Sequence, residues 1–283
     1  MNSNEKFNQE MEAQILGFAN EPDTLNVIAF GGGRQSIYMT ELFLSGKIPV
    51  SIDAILFADT GDEPAQVYAQ IAKVNQRWFE LYRQSVTYIR QKSLSSHIEE
   101  FIAGETPRAS AVPLRTAPNG GLLWRQCTMD FKIRPLRRTI RTLIKKTGKK
   151  KANLFMGIAY EEMSRIKDSG VKYLRHLYPL VALGITTNTI QKWYADHGYG
   201  KIDKSSCIFC PYHSDVYWAK MKKERPSEFA FAVAFDKMIR NYPTVRGECF
   251  LHRSLQPLDK VDFVSENQKH PELADECDGY CTT

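Results

Sequence analysis

Leu25-Asn26-Val27-Ile28-Ala29-Phe30-Gly31-Gly32-Gly33-Arg34-Gln35-Ser36 is the stretch whose reading decides the fold. Its first half has the apolar composition of a parallel strand buried on both faces. Behind it, Ile37 to Leu44 carries apolar residues at helical spacing. Contiguous glycines therefore join a strand to a helix. Such a turn aims several backbone N–H groups and a helix N-terminus at one place, which makes an anion site. Gly33 is expected to leave the room that a phosphate needs to approach the backbone. The loop is not a Walker A, because no Gly-Lys-Ser/Thr closes it, and its glycines are not spaced G-x-G-x-x-G.

Outward from this loop the chain alternates. Ile52 to Ala58 is a second apolar strand, ending in Asp59-Thr60-Gly61-Asp62-Glu63-Pro64. Pro64 suits the first turn of a helix running to about Trp78. A strand near Val86 to Ile89 and another helix follow. This order predicts a parallel sheet with right-handed crossovers, whose ligands bind at the carboxyl ends of the strands. Residues 105–126, with three Pro and two adjacent Gly, read as a long loop of the kind that serves as a lid or binding segment. A helix near Arg134 to Lys146 and a strand near Asn153 to Ile158 resume the alternation. Helices near Thr187 to His197, Asp215 to Glu224 and Pro226 to Asn241 come next, and Phe229, Phe231 and Phe235 of the last suit a core.

The expected architecture is α/β: a Rossmann-like parallel sheet flanked by helices, with a mainly helical C-terminal region. The expected division is an N-terminal extension over residues 1–24, a nucleotide-binding domain over 25–200, and a Cys-containing region and tail over 201–283.

Further segments carry chemistry. They are Cys127-Thr128-Met129-Asp130-Phe131-Lys132-Ile133-Arg134-Pro135-Leu136, Gly157-Ile158-Ala159-Tyr160-Glu161-Glu162-Met163-Ser164-Arg165, and Ser206-Cys207-Ile208-Phe209-Cys210-Pro211. Together with the glycine loop and the Asp59-Thr60-Gly61 turn, they resemble the PP-loop ATP pyrophosphatases and phosphoadenylyl-sulfate (PAPS) reductases, the adenine nucleotide α-hydrolase-like superfamily. The matches span residues 25 to 215. The chain departs from the pattern at several places. Gly31 stands where the family's loop has Ser, and Gln35 where it has Asp, a replacement familiar among the sulfonucleotide reductases. Pro64 comes one residue early, Thr128 takes a Cys place and Phe131 an Arg place.

The resemblance implies an adenine nucleotide held by Gly31, Gly32, Gly33, Arg34, Gln35 and Ser36. It puts Asp59 at the metal or ribose end, and Thr60, Gly157 and Glu162 against the nucleotide. Lys132 and Arg165 would stabilise phosphate oxygens, with Mg²⁺ spreading the charge. Cys127, Cys207 and Cys210 are the implied metal ligands, for a [4Fe–4S] cluster or for zinc, since soft thiolates suit both. The reaction implied first is attack of a substrate oxygen on the α-phosphorus of ATP, leaving an adenylylated substrate ready for sulfur transfer, with a sulfur donor or other subunits as partners. Two other readings stay open. The tail Glu276-Cys277-Asp278-Gly279-Tyr280-Cys281 resembles the E-C-G-x-H tail of the sulfonucleotide reductases, without its His; Cys277 would then be the nucleophile of a thioredoxin-dependent reductase. The third reading is a nucleotide-binding module within a larger complex.

The formal charge is +6 and unevenly spread. Lys132, Arg134, Arg137, Arg138, Arg141, Lys145, Lys146, Lys149, Lys150 and Lys151 crowd residues 132–151, while Ile133, Leu136, Ile140, Leu143 and Ile144 mark an apolar face. This reads as an amphipathic helix with a basic outer face, either solvated surface or a groove for tRNA or DNA. Hydrophobic content of 43% and charged content of 25% are ordinary for a globular chain. No apolar run approaches the ~20 residues that span a bilayer, and Met1 to Glu12 shows no signal-peptide core. The six cysteines then read as thiols or ligands rather than disulfides, and a cytoplasmic enzyme is expected.

Overall fold

A computed structural model describes residues 3–108 and 112–265. The chain divides into two compact units whose segments alternate. The first holds residues up to Ala58, then Ala65–Ile89 and Arg134–Ser205; the second holds Asp59–Pro64, Arg90–Ile133 and residues from Ser206 on.

The first unit is built on strands β1 (Thr24–Ala29), β2 (Ala54–Asp59), β3 (Val86–Arg90), β6 (Lys151–Met156) and β7 (Leu174–Leu177). Their order is β3-β2-β1-β6-β7 in a parallel sheet. The register places Ala29 beside Leu56 and beside Met156. Strand alternation decides which helices each face receives. Ile28, Phe30, Ile55, Phe57 and Phe155 pack with residues of α1 (Ser3–Ala19), α2 (Arg34–Leu44), α3 (Ala65–Tyr82), α6 (Pro179–Ala182) and α7 (Thr187–Asp196). Leu25, Val27, Leu56, Ala152 and Leu154 face Ile140, Leu136, Leu143 and Ile144 of α5 (Arg134–Thr147). The α/β reading of a parallel sheet flanked by helices therefore holds.

Residues expected to form an N-terminal extension contribute to this core. Ile15 and Ala19 are buried in it, and Asn26 Nδ2 donates to the Ala19 carbonyl at 2.9 Å. The same face buries a carboxylate. Glu41, in α2, accepts from Trp78 Nε1 at 2.6 Å, Tyr82 Oη at 2.8 Å and Tyr199 Oη at 2.9 Å. Three donors satisfy an acceptor that would otherwise be costly to bury.

The second unit has its own core. It gathers Leu94 and Ile98 of α4 (Leu94–Ile102), Trp218 and Met221 of α8 (Asp215–Glu224), and Phe229 and Phe235 of α9 (Pro226–Met238). Phe231 of the same run is exposed. The segment read as a long loop carries two short strands, β4 (Arg115–Thr116) and β5 (Gly121–Leu122), which join β8 (Cys249–Phe250) in an antiparallel sheet ordered β5-β4-β8. None of the helices described is long and apolar enough to cross a membrane.

Candidate nucleotide and thiol sites

The residues singled out in the sequence fall into two sets, each gathered within one unit. In the first unit the sheet order reverses direction between β1 and β6. That is the switch point at which open α/β sheets bind ligands, outside the carboxyl ends of the strands. The glycine loop leaves β1 there. Gly32 adopts φ +75°, and a Cβ on it would lie 2.6 Å from Ile71 Cδ1. Its carbonyl accepts from Gln70 Nε2 at 2.6 Å, while Gln70 also bonds Asp203 N and O. Gly33 is the N-cap of α2, and no side chain caps it. The first N–H groups of a helix have no intrahelical partner, so those of Arg34, Gln35 and Ser36 are suited to an anion. The Ser36 hydroxyl donates back to the Gly33 carbonyl at 3.0 Å, and Tyr194 Oη donates to the Arg34 carbonyl at 2.5 Å.

The protein itself places no such constraint on Gly33. A Cβ there would meet Ser205 at ordinary contact distance, 3.5 Å, at an unremarkable φ of −96°. Gly32 is the glycine that the turn requires.

Gly157, at the end of β6, packs directly on the first turn of α2. A Cβ there would lie 3.0 Å from Gln35 C, Ser36 N and Ser36 Cα. The chain then enters a 3₁₀ segment, Tyr160–Arg165, which brings Glu162 to the loop. Gln35 Nε2 donates to Glu162 Oε2 at 2.5 Å, and Arg165 Nη1 donates to Glu162 Oε1 at 2.8 Å. Gly31 to Ser36, Gly157, Glu162 and Arg165 thus share one corner of the first unit.

In the second unit, Asp59 is buried and accepts from Arg90 Nε at 2.7 Å and from Gly61 N at 2.8 Å. Both carboxylate oxygens are engaged by the protein, an ion pair the sequence did not reveal. Gly61 takes φ +81°, with Ser93 too close for any side chain. Asp62 accepts from Ser95 N at 2.9 Å and Ser95 Oγ at 2.6 Å, and burial still raises its pKa. The turn is tied to the C-x-x-C segment by Ile208 N, which donates to the Asp62 carbonyl at 2.8 Å, and by Thr60 Oγ1, 3.3 Å from Cys207 Sγ. Lys132 Nζ stands 3.9 Å from Glu63 Oε1. It lies on a π-helical stretch, Thr128–Ile133, that runs into α5.

Cys127, Cys207 and Cys210 line one cavity with Thr60, Lys132, Arg125 and Tyr212. Burial pushes the Cys207 thiol well up, and Glu63 adds to this against the opposing pull of Lys132. His213 Nε2 donates to the Cys207 carbonyl at 2.8 Å. In type, and in sharing one cavity, the three thiols suit a cluster or zinc. Among the described residues, however, no three His, Cys, Asp or Glu side chains converge to hold a metal ion. Cys277 lies outside the described residues.

Sequence reading passed over Gln70, Arg90, Arg125, Tyr212 and His213. Only His213 had a local signal, its place three residues after the C-x-x-C.

Loop and topology define a class: an α/β protein with a glycine turn and an uncapped helix N-terminus at the switch point of its sheet. No protein-family model matches the sequence, and no curated protein matches it. Among solved structures the chain is similar to the U34-tRNA thiolase NcsA from Methanococcus maripaludis with its [4Fe-4S] cluster. The likeness covers 94% of this chain and 89% of that one, at 12% identity and a TM-score of 0.41.

Proposed function

We propose that this protein is an ATP pyrophosphatase of the PP-loop, PAPS reductase-like kind, which adenylylates a nucleic-acid substrate in preparation for sulfur transfer. The observation that carries the reading is the uncapped N-terminus of α2 at the switch point, cradled by Gly32 and braced by Gly157 and Glu162.

The N–H groups of Arg34, Gln35 and Ser36 bind phosphate oxygens through aligned dipoles. Arg165, oriented by Glu162, supplies a fixed cation for charge that grows on the leaving group. A substrate oxygen forms a bond to the α-phosphorus. The bond to the bridging oxygen breaks, and pyrophosphate leaves with the electron pair. Glu41 and its three donors hold α2 rigidly behind the loop, so the N–H groups are already oriented. Mg²⁺ and the pairing of Asp59 with a metal or ribose belong to the same proposal, as does the role of Lys132 in holding phosphate. Cys127, Cys207 and Cys210 are the proposed ligands of a cluster, which when bound supplies sulfur chemistry.

Incubation with ATP labelled at the α-phosphorus and a candidate acceptor tests the reading. Pyrophosphate release with label on the acceptor supports it. Sulfite release from a sulfonucleotide would favour the reductase, and binding without turnover the nucleotide-binding module. Iron, zinc and sulfide content of anaerobically purified protein, wild type against Cys207→Ser/Cys210→Ser, tests the ligand set: metal retained by the double variant removes it.

A further inference from the structure

The amino ends of β6 and β7 frame a cavity of about 370 Å³, at the edge of the sheet opposite the one that the glycine loop leaves. Lys151, Asp168, Lys172, Tyr173, Arg175 and His176 line it. Its charge is unbalanced. Lys151 and Lys172 are exposed, and neither makes an ion pair among the described residues. Arg175 is already committed, with its guanidinium over the Phe18 ring at 3.7 Å and Nη1 3.1 Å from Glu21 Oε1. Asp168 is the sole carboxylate of the lining. The His176 Nδ1 donates to the Lys167 carbonyl at 3.0 Å, and burial holds the ring below its ordinary pKa, so it adds no charge at neutral pH.

Two observations join this cavity to the basic helix. The Tyr173 ring lies under the Arg141 guanidinium of α5 at 4.8 Å, and its hydroxyl is buried with no partner among the described residues. Arg137, also of α5, donates to the Ser169 carbonyl in the cavity wall. Arg134, Arg138, Arg141, Lys145 and Lys146 expose their side chains along the helix. At 1.5 Å per residue the helix is about 21 Å long, room for several phosphates of one strand.

We propose that the cavity at the amino ends of β6 and β7 is a phosphate subsite for a nucleic-acid strand lying along α5. It rests on the nucleic-acid part of the function proposed above. Lys151 and Lys172 supply the point charges.

The test measures tRNA and duplex DNA binding to the full chain across a salt series, with inorganic phosphate titrated separately. The variants are Lys151→Gln/Lys172→Gln and Lys151→Glu/Lys172→Glu; both positions are exposed, and the Gln pair guards against misfolding. The expected result is a loss of about tenfold or more at low salt for the Gln pair, a larger loss for the Glu pair, and a log–log salt slope shallower by about 1.4 to 1.8, as for two lost phosphate contacts. Unchanged affinity in both variants overturns the proposal while the nucleic-acid reading stands. Tight inorganic phosphate binding, lost in the variants with no change for nucleic acid, makes the cavity a small-anion site and overturns it too. If wild type binds neither nucleic acid, the wider reading falls and this subsite with it.

Discussion

Gln35 and Glu162 meet at 2.5 Å, with the amide nitrogen donating to the carboxylate, although 127 residues separate them. The bond ties the first turn of α2 to the segment after β6, across the switch point of the sheet. It also gives Gln a task that Asp could not perform there, since a second carboxylate would repel Glu162. Gln35→Glu is therefore expected to weaken ATP binding about tenfold or more, whereas Gln35→Met, isosteric but unable to donate, should have a smaller effect. Calorimetric titration of both variants with ATP checks this. Equal affinities would separate the contact from nucleotide binding.

The two glycines of the turn should respond differently. Gly32→Ala forces a side chain into a left-handed backbone 2.6 Å from Ile71 Cδ1, and is expected to cost about 1–2 kcal/mol of stability and most of the ATP affinity. Gly33→Ala sits at ordinary contact distance and should be mild. Thermal melts with and without ATP distinguish them. Comparable losses in both would mean that the phosphate, not the backbone, sets the glycine requirement.

These two cases mark how far the sequence could be read. The strand–glycine–helix unit was legible because its signal is local: an apolar run, contiguous glycines and then helical spacing. The basic outer face of α5 was legible for the same reason. The partner of Asp59 was not, because Arg90 lies 31 residues on and nothing near Asp59 announces it. Strand β7 is short, and its middle residues Arg175 and His176 are polar, so it shows neither an apolar run nor a clean alternation. Among its described side chains, helix α1 offers Met11, Ile15, Leu16, Phe18 and Ala19 to the core amid polar residues, and its burial depends on the sheet that it covers. The pairing of Arg115–Thr116 with Cys249–Phe250 joins segments more than a hundred residues apart, in strands too short to show a period.

Glu41 should be among the costliest polar positions to change. Glu41→Leu leaves Trp78 Nε1 and the hydroxyls of Tyr82 and Tyr199 facing an apolar side chain, and each buried unpaired donor costs about 1–3 kcal/mol. Glu41→Gln keeps an acceptor and should lose less. Urea unfolding of the two variants gives the comparison, and a neutral Glu41→Leu would show that the three donors find other partners.

His176 gives a pH dependence with a defined sign. Burial lowers its pKa from 6.5; the Lys167 carbonyl and Asp168 oppose the shift, and Arg137 adds to it. A depressed folded-state value means that the unfolded chain binds the proton more readily. The contribution is therefore present above pH 6.5 and lost as the pH falls through the folded-state value. Wild type should lose stability between pH 7.5 and 5.0 faster than His176→Gln. Denaturant midpoints at the two pH values measure it. Parallel slopes would assign the acid sensitivity to other groups.

The basic face of α5 supplies the most direct test of the acceptor class. Arg138, Lys145 and Lys146 are exposed and make no ion pair among the described residues, whereas Lys150 is paired with Asp23 at 2.8 Å. Reversing the first three to Glu therefore changes the field without breaking a contact, and adding Lys150 would confuse the two. Ile140 is fully buried, and Leu136, Leu143 and Ile144 pack on the sheet beside it, so the helix should keep its place. Each phosphate contact contributes about −0.7 to −0.9 to the log–log salt slope, so the triple variant should lose about 2 to 3 from it and most of its low-salt affinity. ATP affinity should stay as it was, because the residues proposed to hold the phosphates lie in the Gly31–Ser36 loop and not on α5. Fluorescence anisotropy with labelled tRNA and duplex DNA, alongside ATP titration of the same preparations, reads both quantities. If wild type binds neither nucleic acid more tightly than micromolar at low salt, or if the reversal changes nothing, the face is solvated surface. The adenylylated group would then belong to a small molecule.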